Sequence, residues 1–267
     1  MPKPLKTFFL TSLTKYSQFT VVPGLRGMAL NINQRRQVLH QALQLADRIL
    51  IDSEVARDIF RRNGFLMPID IVRYGHDLAW LDQYPGKTPS HAIRFGFIGQ
   101  IAPMKGPQIL IQAFRKLSGI HSARLLIYGN LDKNPGFGQH LRELAQGQVE
   151  IEFRGTYPHS ASAQVFAEID VLVVPSLWND FPLIISEAFA TQTPVIASDF
   201  GGMAEFIQNE VDGLLFKRGD VQDLARQMER VICETTLLPR LRQGIPRVKP
   251  MAEAVQEMTA IYSALLD

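Results

Sequence analysis

Residues 171–190 read VLVVPSLWNDFPLIISEAFA, and the order of residue types within them decides the fold. Val171–Pro175 is a short apolar, β-branched run of the kind that forms a buried parallel strand. Helix formers follow, with Pro182 where the first helical turn begins, a position whose N–H has no intrahelical partner anyway. The reading is strand, loop, helix. Such a loop brings unpaired backbone N–H groups and the positive end of a helix dipole to the carboxyl edge of a sheet, a natural anion site. Glu187 stands one to two turns into the helix, where its carboxylate can point back toward whatever the loop holds.

Outward from this stretch the same alternation repeats. Toward the N-terminus the pattern predicts strands at Arg94–Ile98, Arg124–Tyr128 and Val149–Phe153, with helices at Pro107–Leu117, Phe137–Gln146 and Ala161–Ile169. Toward the C-terminus it predicts strands at Pro194–Ala197 and Gly213–Phe216, a short helix at Met203–Gln208, and a long helix at Asp220–Cys233 with Asp220 as its cap. Alternating β and α with short connections means a parallel sheet with helices on both faces. A separate βαβ unit is expected earlier. An amphipathic helix carries Leu39, Leu43 and Ala46, Ile49–Ile51 and Ile69–Val72 are strands, and the helix between them starts at Ser53 and stops before Gly64. Residues 82–92 (DQYPGKTPSHA) read as a linker. In the tail, Ala254, Met258, Ile261 and Leu265 recur at helical spacing.

Composition narrows the function classes. A net charge of +2 over 267 residues is too small to argue for nucleic acid. The single cysteine, Cys233, allows no internal disulfide, so a reducing, cytoplasmic compartment is expected. No apolar run is long enough to cross a bilayer, and Met1–Leu10 lacks the apolar core of a secretory signal. No acidic residue precedes Asp47, whereas Lys3, Lys6, Lys15, Arg26, Arg35 and Arg36 are basic. That leader is read either as a patch for an anionic membrane surface or acidic substrate, or as part of a lobe mostly outside this chain. The second reading is preferred, because the run has no amphipathic period.

Chemistry is expected at the carboxyl ends of the strands, where open α/β sheets bind ligands. Five loops lie there: Gly99–Gly106, Gly129–Leu131, Gly155–Pro158, Leu177–Leu183 and Ser198–Met203. Their glycines allow close backbone approach to a ligand, and Lys105 adds a point charge suited to phosphate. Other classes are thinly supported. There is no Gly-rich loop ending in Lys-Ser/Thr, no Gly-x-Ser-x-Gly elbow and no Asp-x-Asp pair for a metal on a diphosphate. The six histidines are never at metal-ligand spacing.

The ordered segments FIGQIAPMKG, LLIYG, FRGTY, DVLVVPS, NDFPLIISEAFATQTPVIAS, GGMAEFI and DGLLFKRGD closely resemble the C-terminal lobe of the retaining glycosyltransferases of family 4, also called group 1, from about Arg94 to Cys233. The resemblance implies the two-lobed GT-B fold. It divides the chain into 1–82, the end of an N-terminal acceptor-side α/β lobe; 83–248, a Rossmann-like lobe for a nucleotide-diphosphate sugar; and 249–267, a helix crossing back to the first lobe. It also implies roles. Lys105, with N–H groups near Phe181, Pro182 and Leu183, would neutralise the diphosphate. Glu187 would accept from ribose hydroxyls, Asn179 would face the donor sugar, and Arg154, Gly155 and Tyr157 would flank the base. Gly99, Gln100 and Gly129 complete the binding set. No cofactor or metal is implied, since a cation and a helix terminus can stabilise the leaving diphosphate.

Three departures from the family pattern stand out. The first of two glutamates usual in this motif is Asn179, a neutral acceptor, with Asp180 beside it. The arginine usual after the first-loop glycine is Gln100, which removes a contact worth ~1.5–3 kcal/mol. Only about ninety residues precede the C-terminal lobe, fewer than a full lobe needs. The expected function is therefore transfer of a sugar, with retention, from a nucleotide sugar to an unidentified saccharide or lipid-linked acceptor. The alternative is a fragment or partner subunit that only binds nucleotide sugar; a weaker option is a sugar-nucleotide epimerase. An incomplete N-terminal sheet would expose an edge and favour association.

Overall fold

A computed structural model describes residues 38–117, 122–178 and 182–266; Asn179, Phe181 and the basic leader fall outside the described residues. The chain forms two compact units. The smaller comprises the described residues up to Ile51 together with Arg57–Asp70, and the larger comprises Asp52–Ala56 and Ile71 onward.

In the smaller unit residues 38–43 are helical and Leu39 stays half exposed, at 50%. Ala46 falls beyond that helix, so the expected amphipathic helix is shorter than its periodicity suggests. Strand β1 (Ile49–Ile51) and strand β2 (Ile69–Ile71) make a two-stranded sheet, flanked by an Arg48–Asp70 ion pair of 2.9 Å. Helix α1 (Glu54–Arg62) lies between them in sequence. Ser53 caps it as expected, its Oγ accepting from the Ala56 N–H at 3.2 Å, and Gly64 follows its end with φ +86°.

The larger unit is built on a six-stranded parallel sheet in the order β5-β4-β3-β6-β7-β8. The elements alternate as β3 (Ile93–Ile98), α2 (Pro107–Arg115), β4 (Ala123–Tyr128), α3 (Pro135–Ala145), β5 (Ile151–Gly155), α4 (Ser162–Ala167), β6 (Val171–Val174), α5 (Leu183–Ala190), β7 (Val195–Ser198), α6 (Gly201–Phe206), β8 (Gly213–Phe216) and α7 (Val221–Cys233). Helices α8 (Leu237–Gly244) and α9 (Met251–Leu266) close the order. All four residues of β6 are buried, as a central parallel strand requires. Alternate side chains enter two cores. Phe95, Phe97, Leu125, Ile127, Val171 and Val173 pack on one face with α2 and α7. Leu172, Val174, Val195 and Ala197 pack on the other, with Phe166 and Phe189. β3 runs on to β4 on one side of the sheet, and β6 to β7 on the other. The strand order thus reverses between β3 and β6, which opens a crevice at their carboxyl ends.

Several boundaries differ from the sequence pattern for local reasons. Val149 lies outside β5 and is 88% exposed, so that strand starts at Ile151, which is buried. Helix α5 begins at Leu183, with Pro182 as its extended cap. Helix α8 carries no clear sequence signal, because Pro239 and its charged neighbours mask it. The proline sits in the first turn, where it is tolerated, and Leu237, Leu238 and Leu241 are buried. Of the four apolar tail positions only Ala254 is buried, and it packs on Gly75: a Cβ there would lie 2.8 Å from the Ala254 Cβ.

The polar stretch 82–92 is strapped to the amino edge of the sheet. The Thr88 N–H donates to the Ala167 carbonyl at 2.9 Å. Lys87 Nζ donates to the Phe166 carbonyl at 2.9 Å and also to Ile169 O and Thr193 Oγ1. Burial pulls the Lys87 ammonium down to about 7. Below the strap Arg94 and Asp170 form a buried pair, with contacts of 2.9 and 3.0 Å. Among the described residues, no helix is long and apolar enough to cross a membrane.

Candidate functional site

The turns leaving the strands are laced together at the carboxyl edge. The Gly129 N–H donates to Gly155 O at 2.8 Å, Gly99 N–H to Tyr128 O at 3.1 Å, and Leu177 N–H to Met104 O at 2.8 Å. Two glycines make this lacing sterically feasible. A Cβ on Gly129 would fall 2.3 Å from Gly99 O, and one on Gly106, whose φ is +76°, would fall 1.9 Å from Pro175 O. Any larger residue at 106 forces apart the turns after β3 and β6.

Between those turns lies a cavity of about 490 Å³. Gly99, Gln100, Lys105, Ser176, Pro182 and Leu183 line it. Lys105 ends a short 3-10 turn, Pro103–Lys105, that Gly106 terminates in the left-handed region. The first turn of α5 supplies backbone N–H groups without intrahelical partners. Lys105 and the start of α5 therefore line one space at the switch point. That combination is suited to phosphate, by charge and by N–H donation together.

Glu187 lies one turn into α5 and is half-buried. Burial holds its carboxyl above the usual carboxylate range, against a smaller opposing effect from His159. Among the described residues no hydrogen-bond donor meets that carboxylate, so its lone pairs are available to a ligand. Tyr157 is close enough for Glu187 to add to the rise that burial causes in its phenol. Its ring meets Tyr128 edge-on, with centroids 5.5 Å apart. Glu187, Tyr157 and His159 thus share one neighbourhood at the carboxyl edge.

The structure does not bring every expected residue to this place. Gly99, Gln100, Lys105, Pro182 and Leu183 line one cavity, Gly129 and Gly155 stand in the laced turns beside it, and Glu187 and Tyr157 lie on α5 and the turn after β5. Arg154 is elsewhere. It pairs with Glu152 at 3.1 Å and Glu168 at 3.7 Å, and it lines a broad groove of about 1050 Å³ with Arg124 and His91. The reason is strand parity: Glu152 and Arg154 share one face of β5, so the guanidinium goes to the sheet face rather than to the edge. His159, whose charge acts on Glu187, carries no spacing signal among six dispersed histidines. No group of three or more His, Cys, Asp or Glu suited to a metal occurs among the described residues.

Comparison with known proteins gives a consistent pattern. The family model described as "Glycosyl transferases group 1" matches residues 92–234. A D-inositol 3-phosphate glycosyltransferase of Mycolicibacterium smegmatis is 32% identical over 241 residues, covering 84% of this chain and 54% of that protein. Its counterpart in Corynebacterium kroppenstedtii is 27% identical over 217 residues, covering 73% of this chain and 48% of that protein. The chain spans about half the length of the curated relatives it matches. Among solved structures, sucrose-phosphate synthase from Thermosynechococcus elongatus superposes with a TM-score of 0.74 at 23% identity, covering 95% of this chain and 65% of that one. Anabaena HepE, solved with UDP and glucose, gives 0.73 at 19% identity, covering 85% and 66%. At such identities the likeness is one of fold, and that fold is GT-B.

Proposed function

Because the chain belongs to the group 1 glycosyl transferases, whose model matches more than half of it, we propose that the cavity between β3 and β6 receives the diphosphate of a nucleotide sugar, and that the protein transfers that sugar with retained anomeric configuration. The observation carrying this reading is the convergence of Lys105 and the α5 N-terminus on one cavity, with Glu187 farther along the same helix. As the glycosidic bond breaks, charge builds on the leaving diphosphate. Lys105 and the first N–H groups of α5 stabilise that charge from fixed positions. Glu187, ionised, accepts from the ribose hydroxyls, Tyr157 stands on the base side, and Gly99 and Gly129 let the backbone approach the ligand closely.

Uridine is the first base to test, since HepE was solved with UDP. A phosphorylated acceptor is the first acceptor class, from the names of the inositol phosphate relatives. Charge neutralisation comes from protein groups, so chelation of divalent metals leaves nucleotide affinity unchanged. The test is calorimetric titration with UDP, GDP and ADP and their sugars, followed by transfer to an acceptor panel with the anomeric product read by NMR. Failure to bind any of the three nucleotides overturns the reading.

A second reading has its own observation. Asn179 stands where the family carries a glutamate, and Gln100 where it carries an arginine. A chain so altered would bind the donor and transfer slowly or not at all. Tight UDP-sugar binding with no product across the panel favours it.

A further inference from the structure

Beyond the cavity, the same edge carries a further cation. Arg218 lies in the turn after β8 with its guanidinium carbon 3.8 Å from the centroid of the Phe200 ring, in the turn after β7. Phe200 packs on the core beneath the sheet, which fixes the ring. The Asp199 N–H donates to Phe216 O at 2.7 Å and ties the two turns together. A Cβ on Gly219, the residue after Arg218, would lie 3.5 Å from Leu177 Cδ2. Leu177 in turn donates to Met104, beside Lys105, and follows Ser176 of the cavity wall. Leu177 thus lies between the turn that carries Lys105 and the turn that carries Arg218.

The two acids that follow Arg218 in sequence are engaged elsewhere. Asp220 caps α7 by accepting from Gln222 and Asp223 N–H, and Lys217 reaches it at 4.0 Å. Asp223 accepts from the Lys217 N–H at 2.8 Å and pairs with Arg226. Among the described residues no carboxylate pairs with Arg218, Asp199 of the adjoining turn included. A guanidinium laid on an aromatic face is held by attraction to the ring, and its planar N–H edge stays open for an oxyanion. An exposed arginine left to itself samples many rotamers, whereas this one is oriented before any ligand arrives.

We infer that Arg218, held on Phe200, is an oxyanion-binding residue of the substrate edge. It takes a phosphate or carboxylate of the molecule lying across the turns after β7 and β8. The inference rests on the proposed function. The oxyanion has two sources, the donor's own diphosphate or an anionic group on the acceptor.

The test titrates the full chain, as wild type, Arg218→Ala and Arg218→Lys, in two arms: UDP into the free protein, and inorganic phosphate into the UDP-saturated protein. Thermal unfolding of each variant checks the fold. Arg218→Ala weakens one arm about tenfold, the scale of one charge-assisted contact, and makes that arm less sensitive to salt. Arg218→Lys restores part of the loss, and Phe200→Leu falls between. Loss in the first arm assigns the oxyanion to the donor, and loss in the second to a separate anion. If the wild type binds UDP and Arg218→Ala leaves both arms unchanged, the inference is overturned and the proposed function stands. If the wild type binds none of UDP, GDP or ADP, both fall.

Discussion

Replacing Glu187 with glutamine separates a binding role from a structural one, because the two move in opposite directions. Glu187 is half-buried, and burial raises its carboxyl above the usual carboxylate range. Toward a ribose the ionised form is the better acceptor. Hydrogen bonds to charged groups contribute ~1.5–3 kcal/mol against ~0.5–1.5 for neutral ones. Glu187→Gln therefore weakens UDP binding by about 1–2 kcal/mol, roughly five- to thirtyfold. Glu187→Ala, which leaves no acceptor, costs more.

Stability moves the other way. The raised pKa means that the folded state binds this proton more tightly than the unfolded state. The buried charge costs stability above the raised pKa, and that cost disappears as pH falls through it. Glu187→Gln removes the cost, so the variant unfolds at an equal or higher temperature at neutral pH while binding UDP less well. Wild-type affinity falls as pH drops through the raised pKa, and the variant's does not. Calorimetry from neutral pH down to the carboxylate range, with a thermal melt at each pH, reads both. Unchanged UDP affinity in Glu187→Gln, or a pH profile identical to wild type, refutes the placement of the ribose. A larger loss from Asn179→Ala than from Glu187→Ala does so as well.

Lys105→Ala weakens UDP by about tenfold or more but leaves uridine, which has no phosphate, unaffected in parallel titrations. Gly106→Ala both strains a left-handed backbone and drives a Cβ to 1.9 Å from Pro175 O. It lowers stability by about 2 kcal/mol or more in urea unfolding and impairs UDP binding in proportion. Asp170→Ala strands the buried Arg94 guanidinium, with side chains only 9% and 12% exposed in the intact pair. It costs about 3–5 kcal/mol, yet leaves the affinity of the folded fraction for UDP within about twofold, since the pair lies at the opposite edge of the sheet.

The chain's local grammar carries most of the fold. Val171–Val174 and Val195–Ser198 are strands because β-branched apolar runs suit a sheet buried on both faces. Asp220 and Ser53 start helices because a short oxygen-bearing side chain satisfies the first N–H groups. The start of α5 was legible for the same reason: Pro182 and the helix formers after it specify a helix N-terminus without reference to the rest of the chain. Helix α8 was not legible, because Pro239 is a breaker in most contexts and is tolerated here only by its place in the first turn.

What the sequence by itself determined was which short segments become strands and helices, and therefore that they build a parallel sheet with glycine-bearing turns at its carboxyl edge. Only the tertiary structure decided what those segments face. The strand order β5-β4-β3-β6-β7-β8 sets the crevice between β3 and β6, brings Gly106 against Pro175 and Lys105 toward α5, turns Arg154 onto the sheet face, and lays Arg218 on Phe200. Burial period and capping are properties of neighbouring residues and are written along the chain. Which turns touch depends on strands paired across long sequence separations, and no single stretch records it.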